Sequence, residues 1–569
     1  MKMPMSESQW GRLKEAMEWS DRQLEFPKRK RLESIKEFTG YHYSEGGASK
    51  RVPVPMIQMA VQVYIRLLAA REPRALFTTK DPSLKSVAAN MQLAINMIPE
   101  EIGLASTLRR LVMEALFSYG IVKVGLNRVG TALDHEYGQT FVDLVTLDDY
   151  FMDMSAKHED AIDFEGNSYW MDFEELKKAD WIDKGDRDLL KPDEHTTIGP
   201  AGEARAEGIS TDNTTSPYRE RIWLRDVWLP REGLLLTMGN ISKELLKVVE
   251  WTGPKCGPYY KLGYSDVPGN LLPLPPVSLW RDLHELSNTM FRKLGSQAEA
   301  AKSVMGFQGG DDEEALNFKN ALDGSGIRYT GALPNELKTS GVDAKTLAFY
   351  LQCKELFSYY CGNLDQLGGL GTQTQTLGQD KLLNEAASSQ MRDMSDKTVE
   401  VIRKIFRALA FYEWNDPIKR RILEKPIPGL NASIQVEFGR DQKRGDFDMY
   451  DLDIDIYSLQ DNSPGARLQK LGVIMAQYVI PLGPMIEQGS GTINVKKIMQ
   501  MVAQYSDFPE LGEVVEFIDT AGPLAPSANR PMKPSNTVRT EQRIGQPGMS
   551  RQGADATLSQ QLLAGGMEE

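Results

Sequence analysis

The chain of 569 residues has only three cysteines, Cys256, Cys353 and Cys361. Their odd number and the lack of any CxxC pair exclude a disulfide framework. Cys353 and Cys361 lie in a segment of helical pattern and read as buried thiols rather than metal ligands, which fits a reducing compartment. Histidine is nearly as scarce. His42, His135, His158 and His195 have no ligand spacing, and His284-Glu285 is followed by Asn288 where an HExxH zinc pair needs its second histidine. Long apolar runs are also missing. The stretches 54–70 and 471–486 are broken by Gln58, Gln62 and Arg66 and by Gln477, Pro481 and Pro484, so neither can span a bilayer. The first ten residues lack the apolar stretch of a secretory signal. No Walker A or G-x-S-x-G sequence occurs. Gly371 and Gly378 have the wrong spacing and lead into Gln379-Asp380, not a phosphate-reading lysine. Asp451, Asp453 and Asp455 imitate the start of a calcium loop. Ile456 and Asn462 stand where its Gly and Glu are required, so a strand with a solvated acidic face is the better reading. No catalytic constellation, cofactor site or metal site emerges, and a protein that is not an enzyme is expected. The net charge of −13 argues against coating nucleic acid, because phosphate affinity comes from Lys and Arg. A protein that DNA merely passes remains compatible with it.

The most distinctive feature present is 362–414. A loop of small and polar residues, 362–378, is followed by a run without Gly or Pro over 379–414. Leu383, Ala387, Met391, Met394, Thr398, Ile402, Ile405 and Leu409 recur every three or four positions, which predicts one long helix. The loop contains Gln373, Thr374, Gln375 and Thr376 and no cation; Lys381 comes only on the helix. Such residues exchange hydrogen bonds without fixed charge. The loop can press transiently on a polyanion, or it can be a plain surface connection.

Along the rest of the chain the pattern predicts an α+β protein, mainly helical, with three or four domains at about 150 residues each. Helices are expected over 6–25, 56–70, 84–98, 100–119 and 173–190. The basic cluster 28–31 reads as the solvated start of a helix, and strands at 121–126 and 140–147 form a hairpin. The segment 192–217 is poor in large apolar side chains and reads as an insertion. Strands at 221–229, 234–238, 248–251 and 259–264 suggest a small β module. Of roughly 60 residues, it would be marginal alone, and neighbouring copies could supply the missing burial. Arg221, Trp223, Arg225 and Trp228 are its candidate interface residues. A helix of about 40 Å follows over 277–305, with Leu279, Leu283, Leu286, Met290, Leu294 and Ala298 on one face. It carries Arg281, Arg292, Lys293 and Lys302 among acidic residues, which mixed-charge solvation explains residue by residue. Helix 345–360 leads into the polar loop, strands follow at 432–438 and 452–457, and 463–520 is helical. From 521 to 569 the composition is that of a disordered tail.

The order of these parts resembles the portal proteins of tailed bacteriophages. The passage Leu111-Val112-Met113-Glu114-Ala115-Leu116-Phe117-Ser118-Tyr119-Gly120 into Ile121-Val122-Lys123-Val124 resembles the wing's helix-to-strand step, and 141–153 its next strand. In the same terms 1–190 is an N-terminal wing, 191–217 an insertion, 218–276 the clip and 277–306 a stem helix. The remainder divides into a wing return at 307–361, the tunnel loop and its helix at 362–414, wing strands at 415–462, the crown at 463–520 and a tail at 521–569. The family's first stem helix, expected before the clip, has only 173–190 as its match. The resemblance implies a homododecameric ring at one capsid vertex, assembled in the host cytoplasm and resident in the virion. Double-stranded DNA passes through it in packaging and ejection. It implies partners in terminase, capsid and scaffold proteins and a tail adaptor, and no membrane. The channel candidates become Gln373, Thr374, Gln375, Thr376, Lys381, Arg281, Arg292, Lys293 and Lys302. Another virion part such as a head-tail adaptor, or a DNA-packaging enzyme, are the alternatives. The missing Walker A weighs against the last.

Overall fold

A computed structural model describes residues 6–40, 54–69, 73–126, 138–178, 182, 190–193, 220–300, 303–306, 316–317, 319–321, 335–338, 341–364, 377–426 and 433–455. All belong to the first of two compact units, Met1–Asn462. The expected helices over 463–520, the tail and most of the insertion lie outside the described residues. Helix makes up about 53% and strand about 25% of the described residues, so helix leads in a mixed α and β chain. Among the described residues every strand pair is antiparallel.

Helix α1 (Glu7–Thr39) opens on a capping box: Gln9 N–H donates to Ser6 Oγ, and Ser6 N–H to Gln9 Oε1. It runs on through Pro27, past the expected end at 25. The reason is a buried stripe, Trp10, Met17, Leu24 and Arg31, that repeats every seven residues across the proline. The basic cluster is therefore not a solvated helix start. Lys28 donates to the Asp148 carbonyl at 2.8 Å, and Arg31 is buried between Glu114 and Asp148.

Helix α2 (Met56–Leu68) buries Ile57, Ala60, Val61 and Tyr64 and leaves Gln58, Gln62 and Arg66 exposed, as expected. Strand β1 (Arg74–Thr79) leads through the Asp81 cap to α3 (Lys85–Glu101). The break before α4 (Leu104–Phe117) falls at Gly103, whose φ of 61° favours glycine, and not at Pro99, which stays inside α3.

Strands β2 (Gly120–Leu126) and β3 (Thr140–Val145) form the predicted hairpin. Strand β4 (Tyr150–Met152) starts a second sheet, in which β5 (Glu165–Asp172), β6 (Arg221–Leu229), β7 (Leu234–Gly239) and β8 (Leu245–Glu250) follow in order. The helix expected over 173–190 is described only as α5 (Phe173–Lys178).

The segment 218–276 is thus not self-contained. β6 pairs with β5 from before the insertion, and β9 (Tyr259–Leu262) pairs with β2. The burial a small β module lacks is supplied by the chain's own earlier strands. A hairpin of β10 (Ser265–Val267) and β11 (Asn270–Leu274) closes the region.

Helix α6 (Pro276–Ala300) is shorter than expected, because β12 (Ser303–Gly306) turns back to pair with β13 (Asn335–Lys338). Helices α7 (Ala344–Tyr360) and α8 (Leu377–Asn415) match the pattern closely. β14 (Arg421–Pro426) pairs with β15 (Ser433–Phe438), and β16 (Tyr450–Asp455) pairs with β1.

The largest core gathers α2, α3, α4 and the buried side of α8, where Ile402, Ile405, Phe406 and Leu409 are shut from solvent. A second core lies between the five-stranded sheet and α1, around Met17, Leu24, Phe151 and Val227.

Candidate functional site

The polar loop with Gln373, Thr374, Gln375 and Thr376 lies outside the described residues, as does Lys302. Lys381 falls within the described backbone of α8. What the structure does define is how α8 is held. Met394, Thr398 and Ile402 are buried, Lys397 reaches Asp266 at 2.8 Å and the Tyr264 carbonyl at 2.9 Å, and Arg403 reaches Asp453 at 2.7 Å. Asp451 and Asp453 are exposed on β16, the solvated acidic strand expected.

At its C-terminal end, α8 meets a buried ionic cluster. Arg421 Nε donates to Glu413 Oε1 at 2.8 Å, and its two terminal nitrogens reach both oxygens of Glu101. Burial alone would raise the Glu101 carboxyl, but the hydrogen bonds and charge of Arg421 outweigh it and hold the group below its ordinary value.

Helix α6 turns a different side inward from the one predicted. Val277, Trp280, His284, Ser287, Asn288 and Leu294 are buried, whereas Leu279 and Leu286 are exposed. The inward side is partly polar, and His284 and Asn288 on it are hydrogen-bonded. His284 Nδ1 lies 3.1 Å from Glu37, its Nε2 lies 3.0 Å from the Val54 carbonyl, and Asn288 Oδ1 accepts from Val54 N–H at 2.8 Å. The described cations proposed for a channel have different surroundings. Arg281 pairs with Glu33 on α1, Arg292 donates to the Asn288 carbonyl at 3.3 Å, and Lys293 is exposed.

The candidate interface residues on β6 are largely interior. Arg225 is buried, pairs with Asp21 at 2.9 Å and sits 4.3 Å above the Phe151 ring. Trp228 is buried beside Trp251. Arg221 and Trp223 are partly buried, with Trp223 stacked on Trp170 at 5.4 Å between ring centroids. Arg225 and Trp228 therefore stabilise the chain itself and are not exposed anchors.

Two features were missed in the sequence. Between the two sheets runs a buried polar network. Lys123 Nζ lies 2.6 Å from Asp226 and 3.0 Å from Asn167, Thr237 and Tyr169 donate to Asp226, and Tyr259 donates to Asn167. Beside it Lys261 pairs with Glu165 at 2.8 Å, and Tyr150 donates to the same carboxylate. Burial, reinforced by these carboxylates, pushes the Tyr150, Tyr169 and Tyr259 hydroxyls well above their ordinary value, so they act as fixed donors. The polar side chains Glu165, Asn167 and Tyr169 at alternate positions of β5 could have signalled this.

The second feature is an open cleft of about 350 Å³ between β9, the β10–β11 hairpin and α8, lined by Tyr119, Lys261, Asp266, Lys397, Glu400 and Lys404 among others. Its lysines are tied to carboxylates: Lys261 to Glu165, Lys397 to Asp266 and Lys404 to Glu400. Among the described residues no group of His, Cys, Asp and Glu could hold a metal ion, and no helix is long and apolar enough to cross a membrane.

No protein-family model matches the chain, and no curated protein matches it closely enough to count as a relative.

Proposed function

We propose that this chain is the subunit of a phage portal: a ring at one capsid vertex through which double-stranded DNA is packaged and ejected, and on which terminase and tail adaptor dock. The ring, a homododecamer by resemblance, also meets capsid and scaffold proteins. In this reading α6 is a stem helix, α8 carries the tunnel loop, the sheets and surrounding helices form the wing, and the chain is structural, not enzymatic.

The observation that carries the reading is the uncovered apolar surface of α6 and α7. Leu279, Leu286 and Phe291 on α6, and Leu347, Phe349, Leu351, Leu356, Tyr359 and Tyr360 on α7, are all exposed. Only Cys353 and Phe357 of α7 are buried. Large apolar side chains crowded along two adjoining helices exceed what a monomer scatters singly over its surface, and such patches mark association. A ring of identical subunits would cover them.

Negative-stain microscopy and mass photometry of the purified protein are expected to show rings with a central hole wide enough for duplex DNA. A monodisperse monomer at high concentration under every salt condition would overturn the reading. A second expectation concerns the uncharged loop. Deleting 368–378 should leave ring assembly intact while reducing DNA packaging or retention in a complementation assay. Failure to assemble would make that loop structural instead.

A further inference from the structure

The open cleft between β9, the β10–β11 hairpin and α8 is lined on one side by the turn 157–161, in the connection between β4 and β5. The base of that connection is stapled. Asp153 is buried and accepts from Ser155 N–H at 2.9 Å, from Ser155 Oγ at 2.6 Å and from Asp163 N–H at 3.4 Å. Ala156, Ile162 and Phe164 are buried as well. The tip is held differently. Lys157, His158, Glu159, Asp160 and Ala161 are all exposed. Ala161 N–H donates to the His158 carbonyl at 3.0 Å and Ile162 N–H to the Glu159 carbonyl at 3.3 Å, so these bonds tie the turn to itself and not to its neighbours. Few buried contacts and exposed backbone bonds put such a tip at the low-stability end of a fold.

The cleft holds groups that this turn can complete. Tyr119 lines it and is only 6% exposed, and its hydroxyl makes no hydrogen bond among the described residues. A buried hydroxyl without a partner costs free energy. Burial pushes this one well above its ordinary value, and Glu159 leads the carboxylates that reinforce the shift, ahead of Glu165 and Asp266. The hydroxyl keeps its proton and is a ready hydrogen-bond donor. Glu159 lines the same cleft, and its carboxylate has neither ion pair nor hydrogen bond among the described residues.

The third group is on α8. Lys404 lies 3.0 Å from Glu400, but the two side chains are 50% and 61% exposed, and a surface pair of this i,i+4 kind is weak. Glu159 already acts on it across the gap: against the opposing effect of burial, Glu400 and then Glu159 hold the Lys404 ammonium above its ordinary value. The other lysines of the lining have firmer partners. Lys261 is buried with Glu165, and Lys397 is bound to both Asp266 and the Tyr264 carbonyl. Among the described residues of the lining, one unpaired carboxylate, one unbonded hydroxyl and one loosely held ammonium thus share a single cleft. They complement one another and not a ligand of one charge.

We infer that the turn 157–161 is a latch that closes over this cleft onto α8, with the Glu159 carboxylate accepting from the Tyr119 hydroxyl and pairing with Lys404. Closure fastens α8 to the connection between β4 and β5, so the helix has a free and a held state within one fold. The inference does not depend on the ring-forming reading, because every group in it belongs to one chain. The test treats the full-length protein with a carbodiimide, which joins a carboxylate to an amine only where they touch. Peptides from the single-subunit band are expected to contain a Glu159–Lys404 crosslink beside those of the pairs already in contact, Glu400–Lys404 and Asp266–Lys397. Tyr119→Phe removes only the hydroxyl. It should cut the Glu159–Lys404 yield by roughly tenfold, the worth of a hydrogen bond to a charged group, and leave the other two crosslinks unchanged. In hydrogen exchange, the amides of 158–162 should open faster in Tyr119→Phe and in Glu159→Gln alike, with no further gain in the double variant. Glu159→Gln, at an exposed position, covers the case in which Tyr119→Phe fails to fold. Lys404 crosslinked to Glu400 alone overturns the latch. So does a Glu159–Lys404 yield that Tyr119→Phe leaves unchanged, which would mean chance contact of two long side chains across an open cleft.

Discussion

Gly166→Ala is expected to be the most damaging single-methyl change in the described fold. A Cβ at this position would lie 2.0 Å from the Asp226 carbonyl oxygen and 2.5 Å from the Phe151 ring. The first of these is backbone of the adjoining strand, since Gly166 faces Val227 in the β5–β6 ladder, and it cannot swing aside. Overpacking typically costs 1–3 kcal/mol and more where nothing yields, so about 3 kcal/mol or more is expected here. The shift would also move Asp226 off Lys123 and Thr237, leaving buried polar groups unpaired. Urea unfolding followed by circular dichroism reads the loss. Gly11→Ala is the control: it lies inside α1 with nothing within 4 Å of its added Cβ, and should be neutral or stabilising by up to about 1 kcal/mol. Equal stability of the two variants would mean that β5 and β6 do not approach as described.

Arg421→Ala is expected to cost about 3–5 kcal/mol, because removing one member of a buried ionic cluster strands the others. Glu413 is only 4% exposed at its side chain and would lose both hydrogen bonds from the guanidinium. Arg421→Lys should recover little, since an ammonium cannot serve two carboxylates in fork geometry. The double change Arg421→Met/Glu413→Leu should recover more than the lysine, by removing charge at both ends. The pH dependence has a definite sign. Glu101 is held below its unfolded value, so its contribution is present above the unfolded carboxyl range and lost as pH falls through the lower folded value. Wild-type stability should therefore decline below about pH 4, and Arg421→Ala should lack the part of that decline due to Glu101. Urea midpoints measured across the acid range separate the two. If the midpoint of Arg421→Ala matches the wild type at neutral pH, the cluster contributes nothing net.

What could be read in the sequence was what is written in apolar spacing. α2, α8 and the β2–β3 hairpin each bury an apolar stripe or alternation, and they and α7 fall within a residue or two of their expected spans. Two of the misses, β5 and the inward side of α6, share one cause: a buried side that is polar. β5 hides Glu165, Asn167 and Ser168, so its inward residues look like those of a loop until Lys123, Lys261 and Tyr259 are brought to them by other strands. The leucine pattern of α6 does not mark its buried side: His284 and Asn288 bind Glu37 and Val54, and the leucines at 279 and 286 are left outward. The division of 218–276 from the preceding strands failed for another reason: pairing between β5 and β6 leaves no local mark across an insertion. Of the candidate site residues, Arg225 and Trp228 carry the composition of an interface hot spot, yet burial in the chain itself uses the same residue types.

Helix α1 has a consequence for the order in which the chain is made. Its docking partners are Glu114, Asp148, Arg225, Arg281 and His284, and most of these pairings are separated by between 83 and 248 residues. During synthesis α1 leaves the ribosome before all of these partners and completes its docking only after residue 284 has followed. Through that interval its own Ser6–Gln9 cap favours the helical form. Much of what it keeps exposed while waiting is charge, at Asp21, Lys28, Arg31 and Glu33. A nascent segment of that kind stays soluble where an equally long apolar strap would seek other chains. The ion pairs that fasten α1 late are thus also what keeps it from fastening early, and to the wrong copy.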